Sequence, residues 1–281
     1  MAYDAFKSAE RQGWDARAGV YDDFTGQVTT RAIPTLLAMA ETAPGKRILD
    51  LCCGTGRAAG AAAALGAIAE GIDVSAAMVD VARDAFPQVT FEVGDAEAIP
   101  REDSTYDAVI WSFGLMHVGS PESVFGEMAR VLKAGGRVAL SHWIGPPDSH
   151  LFRIVFGTMQ RLADMSVVPP SPPPFALSPE DAMRAALLQS GFDEVSFLRL
   201  PLVFRCPAGA FAEHFRNFAA RAAVILDRQD NAVLKEIYSS WDTQLDAFIV
   251  ERELQVPMPA IAVSAVRKGK PDKSAADVSF C

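Results

Sequence analysis

Leu49-Asp50-Leu51-Cys52-Cys53-Gly54-Thr55-Gly56 is the stretch on which the fold turns. Arg47 to Leu51 is a short apolar run of strand type, and it enters a glycine loop that opens an Ala-rich helix from about Ala58 to Leu65. Glycines at Gly54 and Gly56 let the backbone pass close to a ligand, and a helix start presents free N–H groups. The next apolar run, Ala67 to Ile72, ends on Asp73. An acid about 20 residues beyond the first strand is where a ribose diol is gripped in such a unit.

Outward from this point the pattern repeats. Ser75 reads as the N-cap of a helix to Ala85, Val89 to Val93 as a third strand and Tyr106 to Trp111 as a fourth. A helix follows near Pro121 to Leu132, and Gly135-Gly136 leads into a fifth strand at Arg137 to His142. Strands alternating with helices imply an α/β fold with a mostly parallel, Rossmann-like sheet and helices on both faces. Residues 1–45 read as helical. After His142 the sequence predicts a helix over Leu151 to Met165, a stiff proline connector from Val168 to Pro174 and a helix from Pro179 to Ser190 stopped by Gly191. Val195 to Val203 alternates as a strand. A long helical stretch from Ala208 to about Glu253 follows, with breakers at Asp227 to Asn231, then a last strand at Ile261 to Val266 and polar, frayed residues after Lys268.

The composition excludes several function classes. The 281 residues are 50% apolar, enough for a substantial core, and their formal charge of −9 argues against a nucleic-acid partner. The basic run Arg267-Lys268-Gly269-Lys270 reads as a solvated chain end. Cysteines 52, 53, 206 and 281 show no CxxC or Cys/His metal spacing, so no metal is expected, and they fit a reducing compartment. With no apolar signal segment before Val20 and no run long enough for a membrane span, a cytoplasmic protein is expected.

Gly54-x-Gly56-x-x-Ala59 also satisfies the dinucleotide fingerprint. Charge separates the two readings. A pyrophosphate dianion sits poorly beside a carboxylate and a thiol just ahead of the first glycine. S-adenosylmethionine carries no phosphate, and its ammonium suits Asp50, directly or through the loop and water.

Five motifs in order then resemble the class I S-adenosylmethionine-dependent methyltransferases of the type 11 group, close in style to the ubiquinone and menaquinone C-methyltransferases. They are Leu49 to Gly56, Gly71-Ile72-Asp73-Val74-Ser75-x-x-Met78, Gly94-Asp95-Ala96-Glu97-x-Ile99-Pro100, Tyr106 to Val109, and Val131-Leu132-Lys133-x-Gly135-Gly136. The likeness runs from about Trp14 to His142, with a looser echo at Val256 to Lys268. It implies a seven-stranded sheet with an antiparallel last strand. It implies one methyltransferase domain over 1–281: an N-terminal helical lid at 1–45, a donor-binding core at 46–145, a helical cap at 146–190 and 208–255, and the last strand within 256–268.

The resemblance also assigns residues. Asp73 would hold the ribose hydroxyls, Asp95 would accept from the adenine amine with the Ala96 N–H on the ring, and Val74 and Met78 would flank the adenine. Gly54 and Gly56 would pass beneath the methionine and ribose, while Trp111 and Ser112 would end the fourth strand beside the donor. Cys52 departs from the usual glycine and is read as a pocket wall, not a nucleophile.

For the acceptor, His117 is the candidate base after the fourth strand, with lining the pocket as the preferred role. His142 and Trp143 end the fifth strand, and Trp14 and Tyr21 form an aromatic stripe on the lid. The Phe-, Met- and Leu-rich cap would enclose a small apolar acceptor, quinone- or phenol-like, methylated on O, N or C. The product would be S-adenosylhomocysteine. A donor-binding protein that transfers no methyl is the alternative. The sequence does not fix the oligomeric state, and a homodimer stays open.

Overall fold

The computed structural model describes residues 3–269, so Cys281, Lys270 and most of the polar tail lie outside the described residues. The chain opens with α1 (Asp4–Asp15), α2 (Gly26–Thr29) and α3 (Ile33–Met39), joined by short 3-10 turns. The repeat follows as β1 (Arg47–Leu51), α4 (Arg57–Ala64), β2 (Ile68–Asp73), α5 (Ala76–Ala85), β3 (Thr90–Val93), β4 (Tyr106–Ser112), α6 (Pro121–Val131) and β5 (Leu132–Trp143). Then come α7 (His150–Leu162), α8 (Glu180–Gln189), β6 (Phe192–Leu200), β7 (Val203–Pro207), α9 (Phe211–Phe218), α10 (Ala220–Leu226) and α11 (Asn231–Leu245). The last elements are β8 (Ile249–Val250), β9 (Glu253–Pro257) and β10 (Ala260–Arg267).

Seven strands form one sheet in the order β3-β2-β1-β4-β5-β10-β6. The first five are parallel, and β10 runs antiparallel to both neighbours. Alternation along each strand feeds two cores. Ile48, Ala108, Ile110 and Ala139 pack toward α3 and α4, whereas Leu49, Leu51, Val109 and Leu140 pack toward α6 and α8. Chain direction reverses its progress across the sheet between β1 and β4. Open α/β sheets bind ligands outside the carboxyl ends of the strands at such a switch point.

The long helical stretch expected from Ala208 to about Glu253 is corrected in its interior and at its C-terminal end. It breaks at Ala219 (φ −121°, ψ 101°) between α9 and α10 as well as at the foreseen Asp227 to Asn231 segment. Its last part is strand: β8 and the start of β9 lie there, and with β7, which precedes the stretch, they make a separate antiparallel sheet. The β8–β9 turn carries Glu251 and Arg252 at φ +50° and +70°, a conformation that usually calls for Asn or Gly. With neither residue present, the hairpin leaves no local sign in the sequence.

Candidate active site

The glycine loop is built by β1 arriving at the switch point. Cys53 N–H bonds to Ile72 O at 3.0 Å, and Gly54 N–H donates to Asp73 Oδ2 at 2.9 Å, stitching the loop to the end of β2. Cys52, Gly54 and Gly56 take positive φ, of 53°, 54° and 77°. At Gly56 a Cβ would also lie 2.6 Å from the Phe91 ring and 2.9 Å from Ala82 Cβ, so glycine is required there on both counts. The second oxygen of Asp73 accepts from Ser75 N–H at 2.9 Å, and Ser75 caps α5 by accepting from Met78 N–H. Burial raises the Asp73 carboxyl above the usual range, against the pull of these two N–H groups.

A cavity of about 740 Å³ opens over this loop. Cys52, Gly54, Asp73, Val74, Met78, Asp95, Ala96 and Ser112 line one region of it. Trp14, Tyr21, His117 and Trp143 line it too, so these sequence candidates come together.

Four sequence candidates, Asp50, Gly56, Trp111 and His142, are not among the lining residues. Asp50 is buried behind the loop, where Oδ2 accepts from Ala59 N–H at 2.9 Å. Burial, reinforced by the nearby Asp73 charge, pushes its carboxyl up to about 7 although Ala59 N–H pulls it down. Gly56 lies under Phe91. Trp111 is fully buried against Phe125 and donates from Nε1 to Cys52 Sγ at 3.3 Å. His142 is fully buried with both ring nitrogens unpartnered, and burial lowers it to about 3. Its ring lies 6.3 Å from that of Phe175, centroid to centroid.

Much of the remaining wall comes from the cap, which the sequence offered as an apolar enclosure without naming its rings, and from Phe113, which it did not offer. Phe113 stacks on Trp143 (centroids 4.0 Å), Phe152 meets Trp143 edge-on (5.9 Å), and Phe175 closes on Phe152 (5.2 Å) and Phe156 (5.8 Å). Phe215 and Phe218 join from α9, and the proline connector contributes Ser171, Pro172 and Pro174. The connector is a wall, not a spacer.

The N-terminal helix covers the same cavity. Phe6, Lys7, Glu10 and Trp14 share the inward face of α1 at helical spacing. Lys7 Nζ lies 2.6 Å from Asp95 and 3.2 Å from Glu97, and Asp15 accepts from Ser75 Oγ at 2.6 Å. Glu10, only 4% exposed, lies 2.6 Å from Nδ1 of His117. Trp14 meets the His117 ring edge-on at 5.1 Å and Tyr21 at 5.8 Å. Lys7 and Glu10 were legible only as charged residues recurring on an otherwise apolar helix face.

Residues 48–136 match a methyltransferase domain family. Over 103 residues the chain is 38% identical to the demethylmenaquinone methyltransferase of Renibacterium salmoninarum, covering 37% of this chain and 44% of that protein. It is 34% identical over 159 residues to the 27-O-demethylrifamycin SV methyltransferase of Amycolatopsis mediterranei, covering 52% and 58%. The chain thus spans about half the length of these curated relatives. Its fold superposes on the YcgJ protein of Bacillus subtilis with a TM-score of 0.60 at 20% identity, over 85% of this chain and 99% of that one. The chain carries a class I methyltransferase fold and resembles the menaquinone-biosynthesis methyltransferases.

Proposed function

We propose that the protein transfers a methyl group from S-adenosylmethionine to a small, apolar, ring-bearing acceptor. The observation that carries this reading is one cavity holding two kinds of wall: a carboxylate-edged glycine loop and a box of aromatic rings. The first suits the donor. Asp73 and Asp95 stand at the ends of neighbouring strands with an apolar slot of Val74, Met78 and Ala96 between them, fit for an adenosine with its ribose diol. A dinucleotide fits poorly. The start of α4, where a pyrophosphate would sit, already receives the Asp50 carboxylate, and Lys7 is paired with Asp95 and Glu97.

When bound, the donor supplies an electrophilic methyl on a sulfonium. The chain's own work is positioning. Asp73 and Asp95 orient the donor, α1 acts as a lid excluding water, and the aromatic walls align the acceptor with the methyl. The helices after residue 146 act as the cap. Phe113, Trp143, Phe152 and Phe175 suit a planar ring, in line with the demethylmenaquinone named for one relative.

The test is direct. S-adenosylhomocysteine should raise the melting temperature and bind measurably by calorimetry, with no comparable effect from NAD or NADP. Labelled donor should then label a member of a panel of hydroquinones, phenols and amines. Tight nicotinamide binding without any response to S-adenosylhomocysteine would overturn the proposal.

A further inference from the structure

Glu10 is out of place on chemical grounds. It sits on the buried face of α1 between Phe6 and Gly13, where an unpaired carboxylate would cost several kcal/mol. Its hydrogen-bond partner is Nδ1 of His117, 107 residues away in sequence and 2.6 Å distant. A carboxylate in its ionised form can only accept, so this contact calls for a donor at Nδ1 of His117, and a neutral ring carrying its proton there keeps a lone pair on Nε2. Trp14, one turn along the same helix, fixes the ring from its edge. The imidazole lies at the cavity wall between Met116 and Val118, downstream of Ser112 and Phe113.

We propose that Glu10 is a positioning residue that holds His117 as the Nδ1–H tautomer, so that Nε2 accepts the proton of a hydroxyl-bearing acceptor, and that this base is complete only when the lid helix is docked. The inference rests on the methyl-transfer reading and narrows its acceptors to those with an O–H to lose. As the acceptor–methyl bond forms and the methyl–sulfur bond breaks, the sulfonium becomes neutral sulfur and the hydroxyl proton passes to Nε2. The resulting imidazolium is stabilised by Glu10 and later yields its proton to water. Because α1 also carries Lys7 and Asp15 onto Asp95 and Ser75, the contacts that cover the donor side and the one that orients the base arrive on a single helix.

Nitrogen-15 NMR of the histidine rings in the full-length protein with S-adenosylhomocysteine tests the tautomer without any turnover. Wild type should show His117 protonated at Nδ1 and bare at Nε2. Glu10→Leu should move the proton to Nε2, and Glu10→Asp should largely restore the wild-type pattern. Turnover of a naphthohydroquinone should fall about 10- to 100-fold in Glu10→Gln, with kcat carrying the loss and S-adenosylhomocysteine affinity within about 3-fold. A wild-type ring protonated at Nε2, or an unmoved tautomer in Glu10→Leu, overturns the inference. So does a Glu10→Gln protein that loses donor-product affinity at unchanged kcat, since Glu10 would then merely anchor the lid. Should wild type bind S-adenosylhomocysteine yet label no acceptor, the methyl-transfer reading fails and the tautomer alone decides this one.

Discussion

Asp50 Oδ2 accepts the N–H of Ala59 at 2.9 Å, so the acid near the end of β1 closes the first turn of the helix that follows the glycine loop. The oxygen satisfies an N–H of the first helical turn that would otherwise lack a partner. The same contact removes the acid from the cavity, and any influence on a donor's ammonium acts through the loop.

Asp50 should therefore shape stability against pH. Its folded value of about 7 lies above the ordinary 3.8, so between those limits the folded chain keeps a proton that the unfolded chain has lost. Stability should fall as pH rises through that window and flatten above it. Urea titrations from pH 4 to 8 should show a shallower decline in Asp50→Asn, by on the order of a few kcal/mol across the range. Parallel curves for the two proteins would dissociate the slope from this residue.

His142 should act in the opposite direction. Its ring stays neutral to about 3 in the fold, whereas an unfolded histidine protonates near 6.5. The unfolded chain gains the proton first, so stability is lost as pH falls from about 6.5 toward 3. His142→Leu removes that liability along with two buried, unpartnered nitrogens. The variant should gain on wild type at pH 5 relative to pH 8, read from melting temperatures at both.

Asp73→Ala should weaken S-adenosylhomocysteine binding by about 10- to 1000-fold, the cost of losing one or two charge-assisted hydrogen bonds. It also strips the acceptor from Gly54 N–H and Ser75 N–H, so circular dichroism must accompany calorimetry. A folded variant with wild-type affinity would take Asp73 out of the donor site.

Phe175→Ala should separate the two regions of the cavity. The ring packs on Phe152 and Phe156 far along the sequence from the glycine loop, and it is only half-buried. The acceptor KM should rise about 10-fold or more, with donor-product affinity unchanged within about 3-fold. Equal losses on both sides would mean that the aromatic box is not a separate acceptor wall.

The sequence by itself determined the β–loop–helix unit at Leu49 to Gly56, the strand-ending Asp73 and the alternation that yields the parallel sheet. These are local: strand and helix periodicities, an N-cap serine, and glycines at positive φ all act within a few residues. Tertiary structure alone decided that Asp50, Trp111 and His142 are buried outside the cavity lining. It also decided that Glu10 meets His117 and that a proline connector walls the aromatic box. Such pairings depend on where helices dock on the sheet, which many weak packing contacts settle together and no short window of sequence encodes. The β8–β9 hairpin marks the boundary between the two: Glu251 and Arg252 adopt a glycine-like turn because the flanking strands hold them there.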